Sequence, residues 1–84
     1  MDVRVTITPK QGILDPQGAT VERALPALGF AGVSDVRVGK FIELTVDPPT
    51  GMTRDELRAM VDDMCRKLLA NPIIEDYSFD LGEE

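Results

Sequence analysis

Leu68-Leu69-Ala70-Asn71-Pro72-Ile73-Ile74-Glu75-Asp76-Tyr77 carries the chain from a helix into a strand in one step. Asn71 is a favourable residue on which to leave a helix, because it tolerates the left-handed conformation. Pro72 cannot continue the helix: it has no N–H, and its ring clashes with the preceding turn. Ile73 and Ile74 are expected to open a strand that runs to Leu81. Along it Tyr77, Phe79 and Leu81 share an apolar face, and Asp76, Ser78 and Asp80 point the other way. Glu75 falls on the apolar side and breaks the alternation. A carboxylate placed there needs a partner or an exit to water. A strand end near solvent satisfies that need, and so does a contact with another subunit.

Upstream of this decapeptide lies the best-marked helix start in the chain. Thr53-Arg54-Asp55-Glu56 is a capping box, and Met52 and Leu57 stand at the two positions of a hydrophobic staple. Leu57, Met60, Val61, Met64, Cys65, Leu68 and Leu69 then recur at helical spacing. Arg66 and Lys67 sit near the C-terminal end, where cations suit the helix dipole. The turn-rich Pro48-Pro49-Thr50-Gly51 precedes the helix.

The N-terminal half repeats the topology without repeating the sequence. Met1, Val3, Val5 and Ile7 alternate with polar residues, which predicts a half-buried strand over 1–8 that Pro9 ends. Asp15-Pro16 reads as an N-cap followed by proline at the first helical position. Val21, Ala24, Leu25 and Leu28 form the apolar stripe of that helix, with Gly29 as its left-handed terminator. Gly18 weakens its first turn, and Pro26 is expected to kink it or cut it short. Two strands, 33–38 and 41–47, are expected around Gly39-Lys40. Burial of Val36, Val38, Ile42, Leu44 and Val46 on one side requires Val38 opposite Ile42, because a one-residue slip exchanges a strand's faces. The alternative places Val38 opposite Phe41, with the second face covered by another subunit.

The expected order is therefore strand–helix–strand–strand–helix–strand. It predicts an α+β, ferredoxin-like βαββαβ two-layer sandwich, with both helices on one face of a four-stranded antiparallel sheet. The long, aromatic last strand would lie at an edge, where it could pair with another chain. At 84 residues the chain is read as one domain, 1–84. A chain of this length has a modest core, so self-association to a dimer or tetramer is expected to add stability.

Composition narrows the classes of function. The net charge is −6, with Glu75, Asp76, Asp80, Glu83 and Glu84 gathered at the C-terminal end and no base among them. Nucleic-acid binding is not expected, since it needs clustered Lys and Arg. No apolar run is long enough to span a membrane, and the N-terminus lacks a signal-peptide core. The single cysteine fits a reducing, cytoplasmic setting.

Chemistry-bearing constellations are scarce. There is no histidine, and Cys65 lies inside an apolar stripe, where it reads as a small buried hydrophobe. Asp62 and Asp63 are adjacent on a helix and diverge by about 100°, so they are read as a solvated face and not as a metal site. No phosphate-cradling loop of the usual spacing is present. No catalytic residue, cofactor site or metal site is therefore expected. Two polar spots stay open to a second reading. Arg37 and Lys40, beside Asp35 and Gly39, are either exposed hairpin charges or a docking tip. Asp15-Pro16-Gln17-Gly18 is either only a helix start or part of a contact surface.

Three blocks, taken together, resemble one family: Leu14-Asp15-Pro16-Gln17-Gly18, Asp35-Val36-Arg37-Val38-Gly39-Lys40, and the decapeptide from Leu68 to Tyr77. They occur in the order found in PurS, the small subunit of bacterial phosphoribosylformylglycinamidine synthase, and the resemblance covers nearly the whole chain. It implies a non-catalytic subunit of an ATP- and glutamine-dependent ligase of purine biosynthesis. Its partners would be a PurQ-like glutaminase that releases ammonia and a PurL-like synthetase that uses it. The subunit would bridge the two, aiding assembly and ammonia transfer. The large single-chain form of the enzyme has a region similar to a pair of PurS chains, which implies that the subunit works as a dimer. On this reading the residues expected to dock a partner are Asp15, Asp35, Arg37, Gly39, Lys40, Asn71, Glu75, Asp76 and Tyr77. The sequence departs from the family pattern at Pro26, Pro48-Pro49 and Gly51. Two rivals share the expected fold. One is a small dimeric ligand-sensing module, which would need a Gly-rich or polar loop at its interface. The other is an acylphosphatase-like enzyme, which would need an arginine-bearing loop that Pro9-Lys10-Gln11-Gly12 does not supply.

Overall fold

A computed structural model describes residues 1–82; Glu83 and Glu84, the end of the acidic stretch, lie outside the described residues. In chain order the elements are β1 (Asp2–Pro9), α1 (Pro16–Ala27), β2 (Lys40–Thr45), α2 (Arg54–Met64) and β3 (Glu75–Leu81). A five-residue π-helical turn, Cys65–Leu69, extends α2. The strands form an antiparallel sheet in the order β2-β1-β3.

The alternation read from the sequence places β1 at the centre. Val3, Val5 and Ile7 are completely buried, and their polar neighbours Asp2, Arg4 and Thr6 are exposed. α2 covers this face with Leu57, Val61 and Cys65, and Ala70 and Leu81 complete the core. Each buried Val, Leu or Ile of this set contributes about 1.5–3 kcal/mol relative to its exposed state. The start of α2 follows the expected capping box. The Thr53 hydroxyl accepts from the Glu56 N–H at 3.1 Å, and the Glu56 carboxylate accepts from the Thr53 N–H at 3.2 Å.

The exit from α2 differs from the expectation. The Ala70 N–H donates to the Cys65 carbonyl at 2.8 Å, a five-residue step that widens the last turn. Leu68, on the predicted stripe, is thereby turned out and is 83 % exposed. Asn71 is not left-handed, since Asp35 is the only non-glycine residue with positive φ among the described residues. Instead its side-chain oxygen accepts from the Ile73 N–H, and its carbonyl accepts from Ile74 and Glu75. That local bonding uses the donors a strand would have needed. Ile73 and Ile74 are therefore in a turn, and β3 begins two residues later than predicted, at Glu75.

Among the described residues the sheet has three strands, not four, and 33–38 does not form a ladder. The cause lies in where its donors go. The Val36 N–H donates to Glu22 at 3.0 Å, and the Val38 N–H donates to Asp15 at 2.7 Å. Asp35, at φ +57°, breaks the extended run between them and Val33. The expected pairing of Val38 with Ile42 consequently does not form, and neither does the pairing with Phe41. β2 pairs with β1 alone, Ile42 opposite Val5 and Leu44 opposite Val3.

α1 starts and stops where the sequence says. The Asp15 carboxylate accepts from the Gly18 N–H at 3.1 Å, with Pro16 as the first helical residue. The Phe30 N–H returns to the Leu25 carbonyl around Gly29, whose φ is +98°. The helix ends one residue after Pro26. Contrary to expectation, α1 does not join α2 on the sheet: Val21 and Leu28 of its stripe are 40 % and 71 % exposed, and none of its residues enters the core cluster. The radius of gyration is 16.6 Å. A compact chain of this length would have about 12 Å.

Candidate functional site: a charged end of the sheet

The antiparallel register brings the end of β1 against the starts of β2 and β3. Ile7 lies between Lys40 and Tyr77, Thr8 is opposite Asp76, and Pro9 is opposite Glu75. Charges from distant parts of the sequence meet there. Lys10 Nζ is 2.5 Å from the Asp76 carboxylate, and Lys40 Nζ is 3.9 Å from Glu75. The Arg37 guanidinium donates to the Pro9 carbonyl at 3.2 Å and lies 3.8 Å from Asp35. Glu75, the residue that broke the strand pattern, also accepts from the Asn71 N–H at 2.7 Å, so its inward carboxylate is satisfied.

Gly39 lets the backbone close over this end. A Cβ there would lie 2.0 Å from the Ile7 carbonyl oxygen. Gly18 plays the same part on α1, where a Cβ would lie 2.3 Å from the Val36 carbonyl oxygen. Its effect on the first helical turn is thus secondary to a close approach that only glycine allows.

Eight of the nine candidate residues therefore gather near one end: Asp15, Asp35, Arg37, Gly39, Lys40, Asn71, Glu75 and Asp76. Tyr77 is the exception, because its ring turns to the core side and its hydroxyl donates to Asp62 at 2.6 Å. Sequence reasoning missed Lys10, although its position directly after the strand-ending Pro9 is the signal that could have found it. It also treated Asp62 as a solvated acid, whereas Asp62 is half-buried and accepts from Tyr77 and from Arg66.

The electrostatics follow from these bonds. N–H donors of Val38 and Gly18 hold the Asp15 carboxyl below its ordinary range. The Tyr77 hydroxyl and, after it, Arg66 lower Asp62, and the same hydrogen bond raises Tyr77. Burial pushes the Cys65 thiol up, with Asp62 adding to the effect, so the group stays protonated and poorly nucleophilic. No group of three or more metal-ligating side chains occurs among the described residues. The chemistry at this end is that of ion pairs and hydrogen bonds.

The small sheet thus carries a mixed-charge end and leaves one helix uncovered. The family model "PurS: Phosphoribosylformylglycinamidine (FGAM) synthase" matches residues 2–83. The PurS subunit of phosphoribosylformylglycinamidine synthase from Bacillus subtilis is 42 % identical over 81 residues, covering 96 % of this chain and 92 % of that one. The PurS subunit of Synechocystis is 44 % identical over 78 residues, covering 93 % of this chain and 75 % of that one. A solved structure of B. subtilis PurS superposes with a TM-score of 0.78 at 42 % identity and covers 94 % of each chain. A chain of a solved structure of PurLQS from Thermotoga maritima gives a TM-score of 0.78 at 28 % identity, covering 94 % of this chain and 93 % of that one. The chain belongs to the PurS family. The relatives of that family are subunits of phosphoribosylformylglycinamidine synthase. No helix among the described residues is long and apolar enough to cross a membrane.

Proposed function

We propose that the chain acts in the cytoplasm as one domain that holds a PurQ-like glutaminase to a PurL-like synthetase and aids the passage of ammonia between them. The observation that carries this reading is the full-length likeness to a chain of a PurLQS structure. The charged end is the proposed docking surface, with Arg37 and Lys40 as its exposed cations and Asp35, Glu75 and Asp76 as their counterparts. Ion pairs of this kind contribute little to the fold and more to the choice and orientation of a partner. We include in the proposal that the fourth strand of a ferredoxin-like sheet is completed on assembly, at the edge of β2 that β1 leaves open.

The test is reconstitution with the two large subunits. Omitting the chain should abolish glutamine-dependent synthesis and spare more of the ammonia-dependent reaction. The double reversal Arg37→Glu, Lys40→Glu should change fold stability by no more than about 1 kcal/mol, because exposed pairs are weak. It should weaken assembly much more, since like charges facing each other across an interface cost several kcal/mol. Unchanged assembly and glutamine use would remove the charged end from the proposal. Intact glutamine-dependent synthesis without the chain would remove the bridging role.

A further inference from the structure

One face of α1 serves the segment that leads into β2 and not the core. Asp15, Gly18 and Glu22 stand at i, i+3 and i+7, within about 60° of one another around the helix. All three meet that segment. One oxygen of Asp15 accepts from the Gly18 N–H and caps α1, and the other accepts from the Val38 N–H at 2.7 Å. Glu22 accepts from the Val36 N–H at 3.0 Å. Gly18 lets the Val36 carbonyl approach so closely that a Cβ there would lie 2.3 Å from its oxygen. Val21, Ala24 and Leu28 stay exposed, and no residue of α1 enters the core cluster. The carboxylates of α1 therefore hold a backbone segment that the core does not hold.

The two anchored amides bracket Arg37. With Val36 and Val38 both tied to α1, the backbone between them has little freedom to turn, and that fixes where the Arg37 side chain sets out. Its guanidinium ends at the charged end of the sheet, donating to the Pro9 carbonyl at 3.2 Å and lying 3.8 Å from Asp35. Burial does not hold it there, since the side chain is 38 % exposed, and exposed ion pairs hold weakly. Of the two carboxylates, Asp15 also caps the helix, whereas Glu22 has no capping duty, so its bond to Val36 isolates the effect. We propose that Glu22 is a positioning residue for Arg37: by holding the Val36 amide, with Asp15 holding Val38, it keeps the Arg37 guanidinium at the Pro9 carbonyl before a partner arrives. A long side chain fixed in advance gives up less rotamer freedom on binding. The effect on assembly rests on the reading of the charged end as a docking surface, but the clamp itself is read in the isolated chain.

Glu22→Ala removes the acceptor at a position where alanine suits the helix, and Glu22→Gln keeps an acceptor oxygen without the charge. In the isolated, nitrogen-15-labelled chain, the alanine variant should lose Val36 amide protection by roughly tenfold and move the Arg37 Nε–H signal to the position of a free arginine. The glutamine variant should keep both near those of the unaltered chain, and circular dichroism should be the same in all three. In reconstitution with the two large subunits, Glu22→Ala should raise the Kd of assembly roughly fivefold and Glu22→Gln by less than about twofold. In an Arg37→Ala background, Glu22→Ala should add nothing, because its effect runs through Arg37. An Arg37 signal unmoved by Glu22→Ala overturns the proposal. So does an equal loss of assembly in the alanine and glutamine variants, or a loss that adds to that of Arg37→Ala. If Arg37→Ala leaves assembly intact while Glu22→Ala still frees the guanidinium in the isolated chain, the docking reading fails and the clamp on Arg37 is upheld.

Discussion

The Tyr77 hydroxyl donates to the Asp62 carboxylate at 2.6 Å, and this single bond ties β3 to one flank of α2. It also sets the asymmetry of the molecule. The opposite flank of α2, with Met60 and Met64, borders an open groove. Arg66 braces the same carboxylate from one helical turn further on, at 2.8 Å.

Tyr77→Phe should therefore lower the melting temperature by roughly 4–8 °C, the shift that the loss of one hydrogen bond produces in a domain of this size. The pH dependence has a definite sign. Tyr77 is raised above its ordinary 10.0 in the folded protein, so its contribution is complete below that value and is lost as pH rises through the folded value. Asp62 is lowered below 3.8, so its contribution is present above that value and is lost as pH falls through the folded value. Thermal melts of the variant should show a flatter alkaline limb, and a partly flatter acid limb, since Arg66 still partners Asp62. Equal limbs in both proteins would show that the bond is not made in solution.

Asp15→Ala removes a helix cap and a long-range tether together. Asn at the same position keeps an oxygen for the cap but loses the charge. In native-state hydrogen exchange the Val38 amide should lose protection by roughly tenfold in the alanine variant and less in the asparagine variant. Because the folded carboxyl is lowered, protection of this amide in the unaltered chain should persist above about pH 4 and fall at lower pH. Equal protection in all three proteins would mean that the Asp15–Val38 contact is dispensable.

Gly39→Ala forces a methyl carbon to within 2.0 Å of the Ile7 carbonyl oxygen, a backbone atom that cannot swing aside. The expected cost is about 1–3 kcal/mol or more, read as a lower urea midpoint. Gly12→Ala is the control. Nothing lies within 4 Å of its Cβ, and its φ of +86° makes the substitution strained by about 1 kcal/mol. A Gly39 variant no less stable than the Gly12 variant would rule out the close approach of the β2 entry to β1.

Cys65→Ser puts a hydroxyl into a fully buried site among Val61, Leu57 and Val5. The expected cost is about 1–2 kcal/mol. Glutamine-dependent activity of the reconstituted enzyme should stay largely intact at a temperature where the variant is folded. Loss of turnover at full stability would assign the thiol a role beyond packing.

Local signals carried much of the fold. The 1–8 alternation, the Thr53–Glu56 capping box, the Asp15-Pro16 start and the Gly29 stop were all legible, because each depends on residues a few positions apart. Nine docking candidates were named from sequence and eight of them lie near one end of the sheet, but nothing in the sequence placed Asp15 beside Val38 or Glu75 beside Lys40. The strand expected over 33–38 failed for a tertiary reason. The amides of Val38 and Val36 donate to the carboxylates of Asp15 and Glu22, 23 and 14 residues earlier, and not to a neighbouring strand. The late start of β3 has a local cause, with the side chain and carbonyl of Asn71 taking the N–H donors that Ile73 and Ile74 would have offered to the ladder. The sequence by itself determined β1, the starts of α1 and α2, the stop of α1 and which faces of these elements are apolar, since periodicity and caps act over one or two turns. Only the tertiary structure decided which apolar faces meet, because a backbone N–H bonds whichever acceptor the folded chain brings within reach, and for Val36 and Val38 those acceptors are the carboxylates of Glu22 and Asp15.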